Sequence, residues 1–196
     1  MENENDFNPQ QSLALIEDMI NKAKNTFSDN SILYLLWGWT IFVCAIGHFL
    51  LQYFKVIPHP EMIWMATWAI VAYQIVFLTK QKKKEKVKTY SEEIISYIWI
   101  CFSVFMLLTI FILSKTNSWL AMYPIFLVMY GVPTFLSGVV MQFKPLRIGG
   151  ICCWILSVVA TFVAFQYVLL LLALAVVAAW IIPGYLLKAK YKNQAV

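Results

Sequence analysis

The stretch IGGICCWILSVVATFVAFQYVLLLLALAVVAAWIIPGYLL, Ile148–Leu187, decides the fold. It runs for 40 residues without one charged side chain. As a single helix it would be about 60 Å long, twice the roughly 30 Å hydrocarbon core of a bilayer. The segment must therefore turn back on itself. Gln166 is its most polar residue, and Phe165 and Tyr167 beside it suit an interface, so the turn is expected at Phe165–Gln166–Tyr167.

Four more uncharged runs lie upstream: Ser31–Phe54, Met62–Thr79, Ile94–Ser114 and Thr116–Phe143. Each fits one span of roughly 20 apolar residues. The expected architecture is all-α, a polytopic bundle of six transmembrane helices over residues 31–188. Its spans fall near 32–53, 62–79, 94–113, 119–141, 148–165 and 168–187. Composition agrees. Of the 196 residues, 61% are hydrophobic and only 13% are charged, against about 45–50% and 25% for a soluble domain. Mean hydropathy is +0.71. These figures exclude a disordered chain, a disulfide-stapled secreted domain and an ordinary soluble enzyme.

The basic residues set the orientation. Thirteen of the 15 fall on one side of a six-span chain: Lys22, Lys24, the run Lys80–Lys88, Lys144, Arg147, Lys188, Lys190 and Lys192. Only Lys55 and Lys115 fall on the other. The positive-inside rule then places both termini in the cytoplasm. Five spans would move the last three lysines outside and weaken the asymmetry. The net charge of +5 is thus a topology signal and gives no reason to expect nucleic acid. Trp37, Trp99, Trp180 and Tyr185 are expected at the inner interface, and Tyr53, Trp64, Trp119, Tyr123 and Tyr167 at the outer one.

The soluble parts are small. Residues 1–30 carry six acids and two lysines and form an acidic cytoplasmic segment. The start lacks a basic n-region, so no cleavable signal is expected. Asn8 as N-cap, Pro9 as first helical residue and Gln11 three positions after the cap open an amphipathic helix. Leu13, Ile16, Ile20, Ala23 and Phe27 share one face. Ser28–Ser31 reads as a turn into the first span. This helix is net acidic, whereas leaflet anchors are rich in Lys and Arg. It is expected to pack on protein through residues 9–27: its own bundle, a second copy, or a cytosolic partner. The Lys80–Glu93 connection, with six lysines against three acids, is a natural cis partner. Thr89-x-x-Glu92 resembles a capping box for the third span. Residues 189–196 are a basic cytoplasmic tail.

Every acid lies at or before Glu93, and no acid, Lys or Arg falls inside a predicted span. Intramembrane charges mark ion paths and proton relays. The exception is His48, in a row with Thr40, Cys44 and Gln52 at four-residue steps on one face. Its ring nitrogens need partners, for which Gln52, Thr67 and Gln74 are candidates. Tyr130-Gly131-Val132-Pro133-Thr134 breaks the fourth span, where Pro133 releases the Met129 carbonyl to Thr134 or Ser137. The possible polar cluster is therefore Thr40, Cys44, His48, Gln52, Thr67, Gln74, Thr134 and Ser137. Pro183-Gly184 reads as an exit bend, and Ala160/Ala164 and Ala175/Ala179 as small pairs for close helix contact or dimerisation. The four cysteines show no C-x-x-C spacing and read as packing residues. No nucleophile–base pair, metal ligand set or nucleotide motif is present, so no catalytic, metal or cofactor site is assigned.

Leu33-Tyr34-Leu35-Leu36-Trp37-Gly38-Trp39, the end Ile182-Pro183-Gly184-Tyr185-Leu186-Leu187-Lys188 and the amphipathic Leu15-Ile16-Glu17-Asp18-Met19-Ile20 resemble uncharacterised small inner-membrane proteins of Bacteroidetes. The resemblance implies a bacterial cytoplasmic membrane and brings no activity or site residues. The sequence thus points to a non-enzymatic multi-pass membrane protein acting through helix–helix or partner contacts. The alternative is a small transporter or channel with a polar cavity around His48 and the Pro133 break.

Overall fold

The computed structural model describes the backbone of residues 9–84 and 90–192 and the side chains of residues 31–80 and 90–190. Among the described residues all regular structure is helical. The elements are α1 (Pro9–Tyr53), α2 (Ala66–Lys84), α3 (Tyr90–Thr116), α4 (Met122–Val140), α5 (Lys144–Ala160), α6 (Phe165–Val176) and α7 (Ile182–Lys192). A 3-10 turn, Pro60–Met65, leads into α2, and a π turn, Val177–Ile181, joins α6 to α7 as one continuous rod. Five segments are long and apolar enough to cross a membrane: Ser31–Tyr53, Pro60–Lys80, Tyr90–Thr116, Trp119–Val140 and Phe165–Lys190.

The 40-residue run does divide, but not where the polar residue stands. The break covers residues 161–164, and Phe165, Gln166 and Tyr167 form the first turn of α6. The cause is Thr161. Its hydroxyl donates to the Val158 carbonyl at 2.7 Å, and its own N–H turns to the same carbonyl. Local side-chain bonds of this kind compete with helix continuation. Gln166 instead lies exposed in a first turn whose backbone donors have no helical partner.

α5 starts a turn earlier than expected, at Lys144, because Pro145 occupies the first turn after an extended Phe143. It is 17 residues long. α3 likewise starts early, at Tyr90, with Glu92 and Glu93 in its first turn, where acids favour the positive end of the helix dipole.

Two expected breaks are absent. α1 runs uninterrupted for 45 residues, straight through the expected turn at Ser28–Ser31. It begins at Pro9, as a first-turn proline should. Nor does the helix end at Pro183-Gly184: α7 continues to Lys192. The π turn just before Pro183 accommodates the missing N–H, with the Ile182 N–H reaching back five residues to the Val177 carbonyl. Asn8, Thr89 and residues 193–196 lie outside the described residues. So do the side chains of Gln11, the Leu13–Phe27 stripe, the Lys82–Lys88 run and Lys192.

The core lies among α1, α4, α5 and the α6–α7 rod. α4 and α5 pack extensively on each other, and α1 packs along α6, the π turn and α7. Glycines permit the closest approach. A Cβ at Gly150 would sit 2.8 Å from the Gly131 carbonyl oxygen, and one at Gly149 would sit 2.7 Å from that of Ala178. α5 side chains then bond α4 carbonyls along the seam: Arg147 Nε to Gly138 at 2.9 Å, Trp154 Nε1 to Val128 at 3.2 Å and Ser157 Oγ to Pro124 at 2.8 Å. Ala160, Ala175 and Ala179 are buried inside this one chain and Ala164 lies in the 161–164 break, so neither small pair presents a free helix face.

α2 and α3 are peripheral. α2 rests on α1, and α3 on α4. No residue of the α2 span is buried, and α3 buries only Ile95 and Leu113. α3 turns Ile100, Val104, Phe105, Leu107, Leu108 and Phe111 outward.

Candidate functional site

The polar residues singled out from sequence separate into distinct contacts. On α1, Thr40 folds back on its own helix, donating to the Leu36 carbonyl at 2.7 Å. One and two steps along, Cys44 and His48 are both buried and both meet the 3-10 turn. Cys44 Sγ contacts the Ile63 carbonyl at 3.7 Å. Gly47 lies between them, and a Cβ there would strike the Ile63 Cδ1. α1 is thus notched at Gly47, and Ile63 fills the notch.

His48 does not meet Gln52, Thr67 or Gln74. Its Nδ1 accepts from Trp64 Nε1 at 3.0 Å and lies 3.2 Å from the Tyr123 hydroxyl. An indole N–H can only donate. Nδ1 is therefore the bare nitrogen, Tyr123 also donates to it, and the imidazole proton sits on Nε2. Three elements meet at one atom: α1, the 3-10 turn and α4. The rings assist, with Trp64 and Tyr123 6.2 Å apart and Phe165 of α6 5.5 Å from Tyr123. Thr67 supports this cluster indirectly, since its hydroxyl donates to the Trp64 carbonyl at 2.6 Å. Gln52 stands beyond it, its Oε1 buried without a partner. Outside the cluster, exposed His59 and Glu61 pair at 2.9 Å.

Gln74 belongs elsewhere. Its Oε1 accepts from Trp37 Nε1 at 2.7 Å and pins α2 to α1. Thr134 belongs to a third contact. It donates to the Tyr130 carbonyl at 2.7 Å and accepts from Trp180 Nε1 at 2.8 Å. It does not serve Met129, and neither does Ser137, whose Oγ is buried and unpartnered. The buried Tyr34 hydroxyl faces Ser137 and Trp99 but meets neither in good hydrogen-bond geometry.

Around Thr134 the aromatics form a packed column. Tyr130 and Trp180 lie 4.8 Å apart, Trp99 and Trp180 6.1 Å, and Tyr34 and Trp99 5.8 Å. Trp180 and Tyr123 are 2% exposed, so both belong to the core and not to an interfacial belt. The side-chain partners missing from the sequence reading were all aromatic: Trp37, Trp64, Tyr123 and Trp180. The available signal was the need of a buried indole N–H or phenol O–H for a polar neighbour.

The polar atoms do not surround a common chamber. The two best-formed concavities among the described residues are open and peripheral. One, of about 520 Å3, lies along Leu51–Pro60, and the other, of about 270 Å3, along Ile75–Lys80. No group of three or more His, Cys, Asp or Glu that could hold a metal occurs among the described residues.

The two end segments quoted above come together at the other end of the bundle. Gly184 of α7 lies under Leu35, and Gly38 of α1 under Trp180 and Ile181. Trp39 Nε1 donates to the Tyr185 hydroxyl at 3.3 Å. Residues far apart in the chain thus form one joint, where the long helix α1 enters the core. No family model, no curated protein and no solved structure matches the chain.

Proposed function

We propose that this is a six-span protein of a bacterial cytoplasmic membrane, with both termini in the cytoplasm, that works through contacts and not through catalysis. The observation that carries this reading is α1. Crossing a bilayer takes roughly 20 residues, yet α1 has 45, of which Ser31–Tyr53 is the apolar part. The remaining helix, from Pro9, would reach about 33 Å into the cytoplasm at 1.5 Å per residue. A stiff rod rooted at the Gly38–Gly184 joint suits a second copy or a cytosolic partner engaged through residues 9–27.

Other features support the membrane setting. The outward apolar face of α3 would be costly in water and costs nothing against lipid. α5 is 17 residues long, at the lower limit for a span, but it packs against α4 on one side and the α6–α7 rod on the other. Counting it as a span keeps the asymmetry of basic residues at 13 to 2. The resemblance to inner-membrane proteins of Bacteroidetes points to the same compartment.

The separation of the polar contacts favours this reading over a carrier built around His48 and Pro133. The test is removal of residues 1–27. The bundle should still insert, while its association with a second copy or its activity in cells is lost. Unchanged oligomeric state together with unchanged activity would end the proposal. For the carrier reading, His48→Leu should abolish flux in reconstituted vesicles.

A further inference from the structure

The 3-10 turn Pro60–Met65 is attached in an unusual way. None of its residues is buried, so packing alone does not hold it. It is held on α1 by three local contacts: Ile63 over Gly47, the Ile63 carbonyl on Cys44 Sγ, and Trp64 Nε1 on His48 Nδ1. The last of these depends on a proton being absent. We infer that the turn is a proton-operated cover: it closes over Cys44 and Gly47 while His48 Nδ1 accepts from Trp64, and it lifts when that nitrogen is protonated.

The chemistry of the two donors makes the switch one-sided. A proton added to neutral His48 must go to Nδ1, because Nε2 already carries one. The new N–H then faces two groups that had been donating. Tyr123 can rotate its hydroxyl and accept, since a phenol does both. Trp64 cannot, because an indole nitrogen never accepts. Protonation therefore keeps His48 on α4 and takes from the indole its bond to α1, which frees the turn to lift.

The titratable groups around the ring are few. α1 contributes Cys44, α4 contributes Tyr123, and the turn contributes Glu61 with its partner His59. α6 contributes only the Phe165 ring, against Tyr123. His59 shares the Glu61 carboxylate at 2.9 Å. The sign follows. The open form binds one more proton than the closed form, so falling pH favours opening. The open-to-closed ratio then rises by up to about tenfold per pH unit, the slope of a one-proton linkage.

Cys44 reports the opening, since it is 3% exposed beneath the turn. A water-soluble thiol, glutathione, treated in parallel gives the pH dependence of thiol reactivity itself. The full chain in lipid nanodiscs is treated with a maleimide at about pH 7.5 and about pH 5, either side of the ordinary imidazole value. Modification at Cys44 is read by peptide mass spectrometry. The ratio of Cys44 modification to glutathione modification should rise at least about tenfold at the lower pH. It should be independent of pH in His48→Gln, and also in Trp64→Phe, which keeps a ring and drops the N–H. It should still rise in His59→Gln. A flat ratio in the unsubstituted chain overturns the inference, as does a rise that survives in Trp64→Phe or vanishes in His59→Gln. The test does not involve residues 1–27, so its outcome is separate from that of the partner-contact reading.

Discussion

Replacing Gly150 by alanine tests the seam that carries the core. A Cβ there would lie 2.7 Å from Phe135 Cβ, 2.8 Å from the Gly131 oxygen and 2.9 Å from the Phe135 nitrogen. Comfortable contacts begin near about 3.5 Å, so α4 and α5 must part locally by roughly 0.7 Å. Two of those three atoms are backbone, and none can rotate away. The Trp154–Val128 bond, 3.2 Å now, would stretch to about 3.9 Å and be lost. Overpacking costs about 1–3 kcal/mol, and an interhelical hydrogen bond in a membrane bundle adds about 0.6 kcal/mol. The expected loss is about 2–4 kcal/mol. Gly47→Ala is the matched control. Its Cβ would meet Ile63 Cδ1, the tip of a flexible side chain that turns aside at a cost of about 1 kcal/mol. Both glycines are mid-helix, so the gain of about 0.8–1.0 kcal/mol in helix propensity is common to the two and cancels. Reversible unfolding in mixed micelles, followed by circular dichroism against SDS fraction, measures the difference. Gly150→Ala should be less stable than Gly47→Ala by at least about 1 kcal/mol. Equal stabilities would refute the backbone-to-backbone seam.

Other substitutions probe the polar contacts by the same unfolding assay. Trp180→Phe keeps most of the ring and removes the bond to Thr134, and should cost about 1 kcal/mol. Trp180→Ala should cost about 3–5 kcal/mol, because the side chain is buried in the aromatic column. Tyr34→Phe should be neutral or stabilising, since it removes a buried hydroxyl that meets no partner in good hydrogen-bond geometry. Gln74→Leu should cost little overall stability, about 1 kcal/mol. It should nevertheless loosen α2, read as faster hydrogen exchange in Ala66–Lys80 than elsewhere in the bundle.

Helix existence was written plainly in the charge gaps, because a membrane-length apolar run has few other uses. Boundaries were less legible where two local signals competed. At Phe165–Tyr167 polarity suggested a turn, but the helix ended earlier, where the Thr161 hydroxyl could take over a terminal carbonyl. Pro183 promised an end to the helix, but a π turn supplied the extra residue and the helix continued. Ser28–Ser31 has turn-forming composition, yet α1 continues through it, since four poor helix formers cost less than interrupting a 45-residue hydrogen-bond ladder. His48 was identifiable as a buried polar group needing a partner, and the partner was sought among amides and hydroxyls. It proved to be Trp64, because aromatic residues had been assigned to the interface by type. Which tryptophan is buried depends on packing between distant helices, and hydropathy along one chain does not encode it. The Gly131–Gly150 approach was hidden for the same reason.

α1 is one unbroken helix from Pro9 into the bundle. Spin labels at Ser12→Cys and Ile32→Cys, in a chain whose four native cysteines are replaced by alanine and which is diluted with unlabelled protein, measure this directly by pulsed dipolar spectroscopy. Twenty residues of helix separate the two sites, giving about 30 Å between them. A narrow distribution at that distance is the predicted result. A broad distribution, or one centred well below it, would mean that the helix breaks near Ser28–Ser31, and would contradict the rigid rod on which the proposed function depends.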